Sequence, residues 1–139
     1  MFARTENLLL RPGWAEDAPA LARALRGVER SANAAADALA DAESFLAASS
    51  DAILLRLLIT LRTDGGPLVI GTVGLTRRAS GHIELSCWIE ETRVSKGYAA
   101  EAVRAVFDIA ATLSLPEIEP PHFVDGRSFR PLLEVPLAA

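Results

Sequence analysis

The stretch that most constrains the fold is residues 84–102, ELSCWIEETRVSKGYAAEA. An alternating apolar run reads as a strand, passes through a polar loop and enters an amphipathic helix whose first turn gathers Lys96, Gly97 and Ala99. A helix start offers backbone N–H groups without intrahelical acceptors and the positive end of the macrodipole, so this junction is suited to seat a phosphate. Ser95, Lys96, Gly97, Tyr98, Ala99 and Ala100 are its candidate binding residues.

Three strand-like runs, residues 53–62, 68–76 and 82–90, are separated by short segments rich in turn residues. Thr63-Asp64-Gly65-Gly66-Pro67 joins the first two and residues 77–81 the second and third, so the runs predict an antiparallel meander. Residues 7–11 read as an earlier strand, stopped by Pro12 and Gly13. Apolar spacing predicts helices over 16–25 (Ala18, Leu21, Ala22, Leu25) and 33–48 (Ala38, Ala42, Phe45, Leu46), the latter with Asp37 and Asp41 facing solvent. The helix over 97–113 is expected to bury Ala99, Ala102, Val103, Val106, Phe107, Ala110 and Leu113. Its outer face carries Glu101, Arg104 and Asp108 at spacings that allow mutual pairing. Residues 117–123 then return as a strand parallel to the third run, through a right-handed crossover. The fold class is α/β (α+β) in one domain, residues 1–139: a mixed, mainly antiparallel sheet flanked by helices.

Alternation along the third run places Ile83, Leu85, Cys87 and Ile89 on one face and His82, Glu84, Ser86 and Trp88 on the other. A polar row on a central strand needs hydrogen-bond partners or water, so a cleft is expected beside it. Two readings of Glu84 stand: a strand residue paired with Arg77 or Arg78, or a carboxylate that takes a proton from an attacking ammonium. Cys87 reads as a small buried hydrophobe rather than a nucleophile. Gly71 and Gly74 lie within a strand and lack the spacing of a nucleotide-binding loop, so close backbone packing or a bulge explains them.

Composition excludes several classes. The 139 residues are half apolar with a formal net charge of −4, which argues against general nucleic-acid binding, where a basic face is needed. One cysteine permits no intrachain disulfide, and the two histidines are not spaced for a closed metal site. The apolar run near residue 8 is too short for a signal-peptide core, and residues 53–61, interrupted by Arg56, are far short of a membrane span. The cytoplasm is the default compartment, with neither nucleic acid nor membrane as partner.

Further segments are TENLLLRP at 5–12, IGTVGL at 70–75, IELSCWI at 83–89, RVSKGYAAEAVRAV at 93–106 and HFVD at 122–125. In this order they resemble the GNAT superfamily of acetyl-CoA-dependent N-acetyltransferases, in the branch of Rim-type enzymes acting on ribosomal protein N-termini. The resemblance implies a GNAT-like sheet with a splayed strand pair, acetyl-CoA as cosubstrate, no metal, and direct transfer to a primary amine of a small molecule or a protein N-terminus. It implies Glu84 and Ser86 as catalytic residues, backbone N–H near Trp88 or Ile89 polarising the thioester carbonyl, and residues 95–100 holding the pyrophosphate.

The sequence departs from that pattern in places. The family's Gln or Arg, two residues, Gly, one residue, Gly or Ala falls on Val94, Gly97 and Ala99, with Arg93 displaced by one. Ser95 replaces a common glycine. Gly126 and Phe129 stand where related sequences carry Asn and Ser. Pro131 and Pro136 restrict any helix between them to about one turn. The family continues into two more strands past the point where this chain stops, so those strands are expected to be missing, leaving the edge near Pro120 and Pro121 open or covered by a second copy in a homodimer. Residues 28–42 lack the aromatics that usually shape an acceptor pocket. Two functions follow from these features: a small N-acetyltransferase, or a GNAT-like binding module that lacks turnover.

Overall fold

The computed structural model describes residues 2–26, 33–113, 115, 118 and 122–124. These residues form a six-stranded sheet: β1 (Ala3–Arg4), β2 (Leu8–Arg11), β3 (Ile53–Leu61), β4 (Leu68–Arg77), β5 (Ile83–Ile89) and β6 (His122–Val124). The strands lie side by side in chain order; all neighbours are antiparallel except β5 and β6, which are parallel. The mixed, mainly antiparallel sheet is the expected architecture. Strand β1 has no counterpart among the expected elements, because two residues are too few for alternation to register.

Period-2 patterning sorts the sheet residues onto two faces, each covered by helices. On one face Leu58, Val69 and Trp88 pack with α1 (Ala18–Leu25) and α2 (Ala34–Ala47) through Leu21, Leu25, Ala38, Ala42 and Phe45. On the other, Leu57, Ile59, Ile70, Leu85, Cys87 and Ile89 pack against α3 (Tyr98–Thr112) through Ala102, Val103, Ala105 and Val106. The meander brings these strands together with short connections, and α3 crosses from β5 toward β6.

Helix phase departs from expectation at three positions. Asp41, expected at the surface, is buried, while Phe107 and Leu113, expected in the core, are exposed. In α3 the buried arc centres on Ala102, Ala105 and Val106, so small residues meet the sheet and Phe107 lies on the helix shoulder. The helix can approach closely because alanines face β5. Glu101 is not paired along α3 as expected; its partners lie across the fold, as described below.

Gly71 and Gly74 are explained by close packing. A Cβ built on Gly71 would lie 1.9 Å from the Trp88 carbonyl oxygen, and one on Gly74 would lie 2.6 Å from that of Leu55. The β3–β4 register also shifts between Ile59 and Thr60, next to Gly71's partner position. Absence of a side chain at Gly71 therefore sets how near β4 comes to β5 at Trp88.

The return strand is present as a bridge from Ile83 to Ile118, followed by the parallel pairs Ser86↔His122, Cys87↔Phe123 and Trp88↔Val124. This described ladder stays closed to within one residue of the end of β5, so the expected splay between the two strands does not fall among the described residues. Strand β6 is the last of the sheet among them. Pro120, Pro121, Gly126, Phe129 and the segment from Pro131 to Pro136, on which the edge and C-terminal expectations rest, lie outside the described residues.

Candidate active site

The end of β5 leads through a 3-10 segment, Glu91–Lys96, to Gly97 and the start of α3. Gly97 has φ +81°, a left-handed conformation that L residues with a Cβ adopt only at a cost, and a Cβ there would meet nothing within 4 Å. Glycine is thus required by backbone conformation, not by crowding, and it turns the chain sharply enough to begin α3 with its N–H groups clear of the loop. Gly97, at the N-cap, has no side chain with which to cap the helix, and the first backbone bond across this start is the Glu101 N–H donating to the Gly97 carbonyl at 3.2 Å. The amides of Tyr98, Ala99 and Ala100 precede that bond. Lys96, Gly97 and Ala100 are exposed, Tyr98 and Ala99 half-buried; the Ser95 side chain lies outside the described set.

A groove of about 520 Å³ runs beside this helix start, lined by Gly97, Ala100, Glu101 and Arg104 on one side and Arg4 and Thr5 on the other. Glu101 closes one wall. Its carboxylate accepts hydrogen bonds from the Thr5 hydroxyl, from the Asn7 backbone N–H at 2.9 Å and from the Asn7 side-chain amide at 2.9 Å. Burial alone would raise its pKa, but the bonds from Asn7 and Thr5 outweigh burial and hold it below the usual carboxylate range. The β1–β2 turn is thereby fastened to the first turn of α3.

The polar row on β5 is partly as expected. His82 is exposed, Glu84 and Ser86 are half-buried, and Trp88 is fully buried against α1 and α2. The row therefore opens toward solvent at its start and closes at Trp88. Glu84 is salt-bridged to Arg78, one of the two partners expected for it. Ser86 shares its face two residues on.

Backbone direction separates Trp88 from Ile89. The Glu90 N–H donates to the Ile70 carbonyl at 2.7 Å, so alternation turns the Trp88 N–H toward β4 and the Ile89 N–H toward the β6 side. Trp88, named with Ile89 as a cofactor-binding residue, thus has both its indole and its N–H directed into the fold. Ile89 buries its side chain against α3 and points its N–H to the side where β6 ends.

The row continues one residue further than the sequence reading took it. Glu90, just past the strand, is 7% exposed, and its carboxylate accepts from Arg23 Nη1 at 3.2 Å and from Arg93 Nε at 3.0 Å. Even spacing from Glu84 through Ser86 and Trp88 is the signal that would have found it. The cationic partner from α1, Arg23, carried no local signal, because it arrives through tertiary packing.

Cys87 faces the α3 core, and burial pushes its thiol up to about 12. It remains protonated at neutral pH, in keeping with the small buried hydrophobe expected at this position. Among the described residues no group of three or more His, Cys, Asp or Glu is placed to hold a metal ion, and no helix is long and apolar enough to cross a membrane.

The family model described as the acetyltransferase (GNAT) domain matches residues 7–125. Among solved structures, the acetyltransferase (GNAT family) from Bacillus anthracis is similar with a TM-score of 0.58 and 17% identity, over 82% of this chain and 68% of that one. The acetyltransferase from Agrobacterium tumefaciens str. C58 is similar with a TM-score of 0.54 and 27% identity, over 84% of this chain and 70% of that one. A ribosomal-protein-alanine N-acetyltransferase from Brucella melitensis biovar Abortus 2308 gives 0.51 and 17%, over 90% of this chain and 85% of that one. No curated protein matches this chain at a significant level.

Proposed function

Because the chain belongs to the acetyltransferase (GNAT) domain family, we propose that it moves an acetyl group from acetyl-CoA directly to a primary amine. The observation that carries this reading is the start of α3, where Gly97 turns the chain and leaves the Tyr98, Ala99 and Ala100 amides ahead of the first helical bond. Those amides suit the pyrophosphate of acetyl-CoA, since backbone donors at a helix start favour anions irrespective of side chain. Lys96 supplies positive charge nearby, while the adjoining groove mixes Arg4 and Arg104 with Glu6, Glu101 and Asp108. Acetyl-CoA supplies an activated thioester; the protein's part is to bind it, orient it and move a proton.

In this reading the acetyl end lies where the β5–β6 ladder stops, and the Ile89 N–H is the backbone donor directed to that side. Seating it there parts the ladder at Trp88↔Val124. Glu84, on the opposite face with Ser86 and five residues before Ile89, takes the proton of the substrate ammonium through a chain of waters once Arg78 gives way or shares the carboxylate, and the amine so formed displaces CoA as its thiolate. The acceptor class is a primary amine of a small molecule or a protein N-terminus. The pairing of Glu84 with Arg78 favours a second reading, in which the chain binds CoA without turning over.

Thiol release from acetyl-CoA, followed across a panel of amines, separates the two. Release dependent on an added amine supports transfer; binding without release under any amine supports the second reading. Gly97→Val is expected to weaken acetyl-CoA binding by about tenfold, because a β-branched residue resists positive φ by roughly 1–2 kcal/mol and the amides must be re-aimed. Calorimetric titration checks this, and wild-type affinity in that variant would remove the loop from the site.

A further inference from the structure

Glu90 stands at the junction of the loop and the sheet, and its contacts reach three elements. Its N–H donates to the Ile70 carbonyl of β4 at 2.7 Å and its own carbonyl accepts from the Arg93 N–H at 2.9 Å. Its carboxylate accepts from Arg23 Nη1 and Arg93 Nε, while Arg23 Nη2 donates to the Val69 carbonyl at 2.6 Å. Among the described side chains of the segment Glu91–Lys96, only that of Arg93 is not exposed. The loop is therefore held to the body of the protein at Arg93, and Arg93 is held by Glu90.

We propose that Glu90 is the positioning residue of the phosphate loop, fixing the path from β5 to Gly97 through Arg93 and tying that path to α1 through Arg23. This rests on the reading of the α3 start as the pyrophosphate seat. A buried carboxylate with two cationic donors is a rigid fixture, because charge-assisted bonds are strong and leaving the carboxylate half-paired in a poorly solvated place is costly. The Arg23 arm reaches the helix pair on the far face of the sheet. Loop and α1 consequently share one anchor, so disturbing either arm reaches the amides at 98–100.

Two substitutions distinguish this tether from a simple field effect. Glu90→Gln makes the surroundings of the loop more positive, and Arg93→Gln makes them less so. If charge alone governed phosphate binding, the first would tighten acetyl-CoA binding and the second would weaken it. The tether predicts that both weaken it, each by about tenfold, and that the double variant is no worse than either single one. Turnover at saturating acetyl-CoA is expected to stay near the wild-type value, so that the loss appears in KM and Kd. Glu90→Asp, which keeps the charge, should restore part of the affinity. Calorimetry and steady-state kinetics read these outcomes, and Arg93→Gln, at a half-exposed position, keeps the test informative if the Glu90 variants fold poorly. Tighter binding in Glu90→Gln, or wild-type affinity in Arg93→Gln, overturns the proposal. Failure of the wild-type protein to bind CoA would instead overturn the functional reading beneath it.

Discussion

Replacing Glu84 with glutamine is expected to lower turnover by about 10²–10⁴-fold, the range attributable to a lost general base, while leaving acetyl-CoA affinity unchanged. Glutamine preserves the size and hydrogen-bonding shape of the side chain but cannot take a proton. Glu84 lies on the α1/α2 face of β5, four residues before Trp88, at roughly 13 Å along an extended strand from it. The change is therefore remote from the donors that open α3. If the carboxylate served only as a partner for Arg78, its loss would cost about 0–1 kcal/mol of stability and leave the rate alone. Single-turnover kinetics with a responsive amine, run beside a thermal melt, decides between these: an undiminished rate with a slightly lowered melting temperature would make Glu84 structural only.

Gly71→Ala is expected to destabilise the fold by at least about 1–3 kcal/mol, the cost typical of overpacking, and to lower the melting temperature by several degrees. A Cβ at this position meets the Trp88 carbonyl oxygen at 1.9 Å, with the Trp88 carbonyl carbon at 2.9 Å and Ile89 Cα at 3.0 Å. All three are backbone atoms, so no rotamer change can make room. Strands β4 and β5 must separate, and they would do so next to Glu90, whose N–H is bonded to Ile70. The variant should therefore lose acetyl-CoA affinity as well as stability, whereas a surface alanine substitution should alter neither. A variant that melts with the wild-type protein would show that β4 and β5 do not approach as described.

Much of this architecture was legible from residue order because its periodicities are long and unambiguous. Apolar strand-length runs over 53–90, separated by clusters of turn residues, specify the meander, and the 3.6-residue spacing after Gly97 specifies α3. What escaped was information carried between distant segments. Asp41 reads as a solvent-facing helical residue by local spacing, yet the packing of α2 on α1 and the sheet buries it. Glu101 has plausible local partners on its own helix, yet Thr5 and Asn7, almost a hundred positions earlier, bind it. Of the site, Gly97 and its neighbours were visible because left-handed turns and helix starts leave local marks. The buried status of Trp88 and the joining of Glu90 to Arg23 depend on which helix lands on the even face of β5, which no local window contains.

Acetyl transfer by this chain requires that the amides that open α3 receive the diphosphate of acetyl-CoA. Following backbone ¹H–¹⁵N signals of the wild-type protein during titration with CoA tests this directly. The largest shifts are predicted at Gly97, Tyr98, Ala99 and Ala100, and they should shrink when Gly97 is replaced by valine. Saturable binding with those four signals unmoved, or no binding at all, would contradict it.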